Sequence, residues 1–135
     1  MFIGFLDKKN KRLFLDLAIK AADCSDGISS EELEVLRSLS KETEEQLDFE
    51  QKKELSDIIA ELETNTSTME KRIIYFEILG IMYADGVFDD KERSFVDMLK
   101  KRFMITDEIS NKLLSDIKEY SDLFTRMCDE VLGGE

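Results

Sequence analysis

Hydrophobic residues recur along this chain at intervals of three and four. In residues 11–24, for example, Leu13, Phe14 and Leu17 fall on one face, which is the pattern of an amphipathic α-helix. No window alternates apolar and polar residues as a half-buried β-strand does. The spacing therefore predicts an all-α fold, one domain of six or seven short helices.

Capping residues predict where most of the helices begin. A Ser or Asp followed three residues later by Glu can satisfy the free amides of a helix N-terminus. Three such pairs occur, Ser29 with Glu32, Ser67 with Glu70 and Asp89 with Glu92. Further helices are predicted to start near Asp48, at Thr106 and near Ser121, the last of them stopping at Gly133-Gly134.

The segment from residue 73 to residue 84 is apolar on nearly every side, with Glu77 its one charged residue. Such a helix is expected at the centre of the fold, with other helices packed around it. Gly80 costs a helix interior about 1 kcal/mol relative to alanine, and we interpret it as a point of close backbone approach. Glu77 is expected at a helix rim, where it reaches water or pairs with Lys71 or Lys100.

The first residues are apolar, and the charged run of residues 7–12 follows them. A signal peptide has the opposite order, so we expect this segment to fold back on the core. The predicted division is an N-terminal segment of residues 1–9, a helical domain of residues 10–132 and a tail of residues 133–135. No stretch approaches the length of a membrane span.

Composition excludes several classes of activity. The 135 residues include no histidine and no tryptophan, so Ser-His-Asp and Cys-His catalysis and His-ligated metal sites are excluded. Nineteen basic and 31 acidic residues give a net charge of −12, which repels nucleic acid and anionic membranes. No Gly-rich phosphate loop or other substrate platform is visible, and we expect the protein not to be an enzyme.

The two cysteines, Cys24 and Cys128, lack the spacing of metal or redox motifs. Two reduced thiols in a cytoplasmic protein are the prediction. A long-range disulfide in an oxidising compartment is the alternative.

An acidic turn occurs twice, in residues 25–32 and in residues 84–92. In each copy an apolar helix ends at Asp-Gly, a β-branched residue follows, and a capping residue precedes Glu by three positions. The two aspartates, Asp26 and Asp85, are 59 residues apart. The chain is therefore interpreted as two helix-turn-helix halves joined by the third helix.

The turns allow both a structural and a ligand-binding interpretation. Asp before Gly is ordinary turn chemistry, although a negative charge at a helix C-terminus opposes the helix dipole. An EF-hand is excluded, because its first and third ligand positions would be Ile81 and Tyr83. The available ligands are oxygen atoms, which favour calcium, magnesium or manganese over zinc or copper.

The two helix-Asp-Gly-helix units, with Phe88-Asp89-x-x-Glu92 in the second and the trailing residues 103–107, resemble the TerB-like (tellurite-resistance B type) domain over residues 10–132. The resemblance implies a compact bundle of two pseudo-symmetric halves, a role in tellurite or chemical-stress resistance, and membrane-associated partner proteins. It also implies a divalent-cation site. Carried onto this chain, that site consists of Asp26, Glu32, Asp85, Asp89 and Glu92. The first turn departs from the family pattern, since it is one residue shorter and has Ser29 in place of an acid.

Two functions remain open at this point. In the first, the acidic turns bind a divalent cation and tie the two halves together. In the second, the chain is a metal-free scaffold that docks a protein partner through its acidic surface or through a groove between the halves. Tellurite itself is an oxyanion, and a chain of this charge is a poor receptor for it.

Overall fold

The computed structural model describes residues 1–84 and 88–133, and over these residues it contains helices and no β-strand. A 3-10 turn at Ile3–Phe5 precedes six α-helices, α1 Lys8–Ala22, α2 Ser30–Thr43, α3 Leu55–Asn65, α4 Thr68–Met82, α5 Asp90–Arg102 and α6 Asp107–Leu132. The prediction of an all-α fold of six or seven helices is confirmed.

The chain divides into two compact units, Met1–Ile105 and Thr106–Glu135. The first unit holds the 3-10 turn and α1 to α5, and the second is built on the single helix α6. The extent predicted for the helical domain, residues 10–132, stays a prediction.

Two helices, α1 and α4, form the centre of the first unit. Helix α1 packs against α2, α3 and α4, and α4 also contacts α2 and α5. Phe14 and Leu17 of α1 are fully buried, as are Tyr75 and Ile78 of α4. The central position predicted for α4 is confirmed, and α1 shares it because its run Leu13–Ile19 is buried on every side.

The N-terminal residues fold back on this core, as predicted. Ile3 and Leu6 are buried, and the ring of Phe2 lies edge-on to Phe76, with 5.6 Å between their centroids. Glu77 is buried at the same place. Its Oε1 accepts hydrogen bonds from the amino nitrogen of Met1 at 3.0 Å and from the backbone N–H of Phe2 at 3.2 Å.

The pairing suggested for Glu77 with Lys71 was wrong. The ammonium group of Lys71 donates instead to the backbone carbonyls of Glu63 and Thr66, at 2.9 and 2.6 Å. Lys71 therefore caps the C-terminal end of α3, where the free carbonyls of a helix attract a cation.

Four predicted helix starts are confirmed. The side chains of Ser29, Ser67, Asp89 and Thr106 each accept a hydrogen bond from the backbone N–H three residues further on. The first three also form complete capping boxes. Pairs this close in sequence need no tertiary contact, which is why the pattern located them.

Two predicted boundaries were wrong. Helix α3 begins at Leu55 rather than near Asp48, and the Asp48 carboxylate accepts from the N–H of Glu50 in a local turn. The intervening residues offer no apolar face that a helix could bury. The helix predicted to start near Ser121 is the continuation of α6, which runs unbroken for 26 residues and contains no glycine or proline to end it.

The interpretation of Gly80 was also wrong. No atom from another part of the described chain lies within 4 Å of the position that a Cβ would occupy there. Gly27 has the same open space, but its φ of +88° lies in the left-handed region. The two glycines therefore differ in backbone conformation and not in the space available for a Cβ atom.

We expect Gly80→Ala to stabilise the fold by about 0.5–1 kcal/mol, because alanine loses less conformational entropy in a helix. Gly27→Ala is the matched comparison and is expected to destabilise by about 1 kcal/mol, the strain of a left-handed Cβ. Urea unfolding of both variants measures the two differences. A loss of stability in Gly80→Ala would restore the close-approach interpretation.

Candidate functional site: a carboxylate pocket between two turns

The first acidic turn lies against the start of α5. The hydroxyl of Ser25 donates a hydrogen bond to Oδ2 of Asp89, across 64 residues of sequence. Ser25 belongs to the turn that links α1 to α2, and Asp89 is the cap that precedes α5. The proximity expected of the two repeated segments is therefore present in the residues that can be described.

Capping boxes hold two glutamates at this place. Oε1 of Glu32 accepts from the N–H of Ser29 at 2.9 Å, and Oε1 of Glu92 accepts from the N–H of Asp89 at 3.1 Å. In return, the side chain of each cap accepts from the backbone N–H of its glutamate. The reciprocal bonds fix both carboxylates at the first turn of a helix.

These residues line a pocket of about 240 Å³, called here the carboxylate pocket. Its lining residues are Ala22, Ser25, Asp26, Gly27, Ile28, Ser29, Glu32, Asp89 and Glu92. Four carboxylates are among them, and none of these lining residues is a lysine or an arginine. Asp26, Glu32, Asp89 and Glu92 are four of the five predicted ligands, and the fifth, Asp85, lies outside the described residues.

Two of the four carboxylates that line the pocket are buried. Glu32 and Glu92 are only 3% and 5% exposed, and Asp26 is exposed to solvent. A carboxylate withdrawn from water interacts strongly with charges around it, because the local dielectric screens less. The described lining of the pocket therefore carries negative charge that is partly withdrawn from water.

The pKa values of two side chains, Asp89 and Cys24, reflect the charges and hydrogen bonds around them. Hydrogen bonds from the Ser25 hydroxyl, and secondly from the Glu92 backbone N–H, lower the pKa of Asp89 below its ordinary value. The pKa of the neighbouring Cys24 thiol is raised to about 11, first by burial and then by the negative charges of Glu92, Asp89 and Glu32. Both shifts agree with a site rich in carboxylate and supplied with hydrogen-bond donors.

Within the described ranges, no group of three or more Asp, Glu, Cys or His side chains is arranged to hold a metal ion. Helix capping occupies one carboxylate oxygen in each of Glu32, Asp89 and Glu92. These carboxylates therefore do not converge on a single point, as the ligands of a dedicated metal site would. Any ion held by these residues would have to keep part of its own water shell.

Sequence analysis did not single out Ser25 or Cys24 as members of the site. A serine before Asp-Gly resembles ordinary turn chemistry, and its partner Asp89 is far away in the chain. No local signal identifies that contact. Cys24 and Cys128 are both free thiols in this structure, and their reduced state in a cytoplasmic protein stays a prediction.

Comparison with protein-family models, with curated proteins and with solved structures finds no match to this chain. Over residues 1–84 and 88–133, none of the helices has both the length and the apolar character needed to cross a membrane.

We expect Ser25→Ala to lower stability at neutral pH and to have little effect in acid. The folded-state pKa of Asp89 is depressed, so its contribution is present above the ordinary carboxyl pKa and is lost as the pH falls through the folded value. Removing the first cause of that depression removes the contribution. Urea midpoints of both proteins between neutral and acidic pH measure the difference.

Ser30→Ala is the matched control, since the Ser30 hydroxyl donates to Glu31 on the exposed side of α2. Its midpoint should follow the unsubstituted protein at every pH. If Ser25→Ala differs from the unsubstituted protein by a constant amount from neutral to acidic pH, the Asp89 carboxylate does not mediate the effect.

Proposed function

We propose that this chain is a non-enzymatic, TerB-like cation-binding domain whose carboxylate pocket takes a divalent cation. One observation carries the proposal. The hydrogen bond from Ser25 to Asp89 assembles carboxylates from two distant turns around one pocket that no cationic side chain lines. Several carboxylates gathered at one place and partly withdrawn from water favour the uptake of a cation.

The chemistry of the donors selects the kind of ion. Carboxylate and hydroxyl oxygens are hard ligands, which suit magnesium, calcium and manganese. Magnesium commonly binds through one or two carboxylates and keeps several waters, which fits a pocket without a ready cage. Asp26 lines the pocket and is exposed to solvent, so its carboxylate is accessible to a hydrated ion.

Binding of an ion would link two parts of the fold more rigidly. An ion between the first turn and the start of α5 would add a link between the α1–α2 half and the α4–α5 half, beside the hydrogen bond from Ser25 to Asp89. We propose that this cation-dependent stiffening serves a cytoplasmic response to tellurite or other chemical stress, through protein partners. Direct capture of tellurite is disfavoured by the net charge of −12.

Thermal unfolding tests the cation site. We expect MgCl₂, CaCl₂ or MnCl₂ to raise the unfolding temperature above that in NaCl of equal ionic strength. A ligand at about 100 times its Kd stabilises the folded state by about 2.7 kcal/mol. Glu32→Gln should lose most of this gain, because the amide still accepts the Ser29 bond but carries no charge.

Glu70→Gln is the matched control for Glu32→Gln. Glu70 forms the same capping box, with Ser67 at the start of α4, and it is not among the residues that line the pocket. It should keep the full response to the cation. Equal unfolding temperatures in all the salts would contradict the proposal, and so would an equal response of the two variants.

Thiol reactivity gives a second, independent measurement. The negative charges of the pocket contribute to the raised pKa of Cys24, so a bound magnesium or calcium ion should lower that pKa and speed alkylation. Below the pKa, each unit of decrease raises the thiolate fraction about tenfold. The rate of reaction with iodoacetamide is measured in a Cys128→Ser background.

N-acetylcysteine in the same salts corrects for direct effects of the ions on the reagent. An alkylation rate of Cys24 that is the same in MgCl₂, CaCl₂ and NaCl would show that the pocket stays empty of divalent cations.

A second function, protein interaction, is favoured by a separate observation. Large apolar side chains of α6 are exposed, among them Phe124 and Val131.

A further inference from the structure

Apolar residues along α6 are spaced as in a coiled coil. They stand at intervals of four, three, four, three and four residues, at Leu113, Ile117, Tyr120, Phe124, Met127 and Val131. An alternation of three and four is the heptad repeat that a two-stranded coiled coil requires at its a and d positions. These six residues are called here the α6 stripe.

A lone helix cannot bury its own stripe. Tyr120, Phe124, Met127 and Val131 are 56%, 53%, 43% and 75% exposed. The helix is 26 residues long, which is about 39 Å. Leu113 and Ile117 are half-buried, so the exposed part of this row runs from Tyr120 to Val131, about 17 Å along the helix. A contiguous row of exposed apolar side chains marks an interaction surface.

We propose that the α6 stripe pairs with the α6 stripe of a second copy of this chain, as a parallel two-stranded coiled coil. The a positions are then Ile117, Phe124 and Val131, and the d positions are Leu113, Tyr120 and Met127. In a parallel pair each of these side chains meets its own counterpart, so the stripe covers itself along its whole length.

The residues beside the stripe select the parallel orientation. Asp116 and Glu130 occupy g positions, and an antiparallel pair would place Asp116 of one copy opposite Glu130 of the other. A parallel pair places each g residue beside the following e residue of the second copy. Asp116 then meets Ser121, and Leu123 meets Cys128, so no like charges are opposed at these positions.

The charge of α6 disfavours an anionic membrane as the occupant. The helix carries seven acidic and three basic residues, whereas helices that lie on membranes are rich in lysine and arginine on their polar face. The same charge opposes close approach of two copies. Because salt screens charges on exposed surfaces, pairing through the stripe should strengthen as ionic strength rises.

Sedimentation equilibrium of the full chain tests the pairing. We expect a mass that rises with concentration from monomer to dimer, and a dimer Kd that falls at least tenfold between about 0.1 M and 1 M NaCl, as the Debye length falls from about 10 Å to 3 Å. Phe124→Glu should leave a monomer at both salt concentrations. Circular dichroism checks that this variant keeps its helix content.

Thr125→Glu is the matched control, because it adds the same charge one residue away at a position outside the stripe and outside e and g. It should still form the dimer. A chain that stays monomeric at both salt concentrations overturns the proposal, as does a trimer or an equal loss of dimer in the two variants. A monomer that sediments with phosphatidylcholine vesicles would assign the stripe to a membrane surface instead.

Cross-linking tests the orientation. Val131→Cys, in a background with Cys24→Ser and Cys128→Ser, should form a covalent dimer on mild oxidation, because a parallel pair places the two introduced thiols in one layer. In an antiparallel pair they would be about 27 Å apart, the length of 18 helical residues. A dimer by sedimentation that does not cross-link would overturn the parallel arrangement.

The inference does not depend on the proposed cation site. The carboxylate pocket lies within the unit Met1–Ile105, and Glu32→Gln should leave the dimer Kd unchanged. Failure of one proposal would therefore be distinguishable from failure of the other.

Discussion

The packing of α1 against α4 is the constraint on which the first unit depends. Each of these helices is apolar over most of its surface, and together they hold fully buried side chains such as Phe14 and Tyr75. Each also leads into one copy of the acidic turn. Burying the two helices together therefore carries Ser25 to within hydrogen-bonding distance of Asp89, although 64 residues separate them.

The carboxylate pocket results from helix capping and tertiary packing acting on the same two glutamates. Glu32 and Glu92 are placed by capping boxes, which stabilise the starts of α2 and α5. The tertiary fold then withdraws both carboxylates from water. The same groups that satisfy helix amides thus concentrate negative charge at one place. Burial first, and this charge second, raise the pKa of the Cys24 thiol.

Helix α6 differs from α1 and α4 because several of its large apolar side chains are exposed. Six of its apolar residues follow the three-and-four spacing of a coiled-coil repeat. In the proposed pairing, the net negative charge of the chain opposes the approach of two copies at low ionic strength, while burial of the exposed stripe favours it. The pocket, with its four described carboxylates, and the stripe, with its exposed apolar side chains, therefore differ in the chemistry of the ligand that we propose for each.

Features of the fold that depend on neighbouring residues could be predicted from the amino-acid sequence. The caps Ser29, Ser67 and Asp89 and the apolar character of α4 were predicted, because they depend on residues three or four positions apart. The start of α3, the continuity of α6 and the open space beside Gly80 were not, since local signals compete there with packing. The hydrogen bond from Ser25 to Asp89 and the burial of Glu32 and Glu92 in one pocket could be found only from the tertiary fold. Such contacts form between distant residues when apolar surfaces from different parts of the chain leave water together.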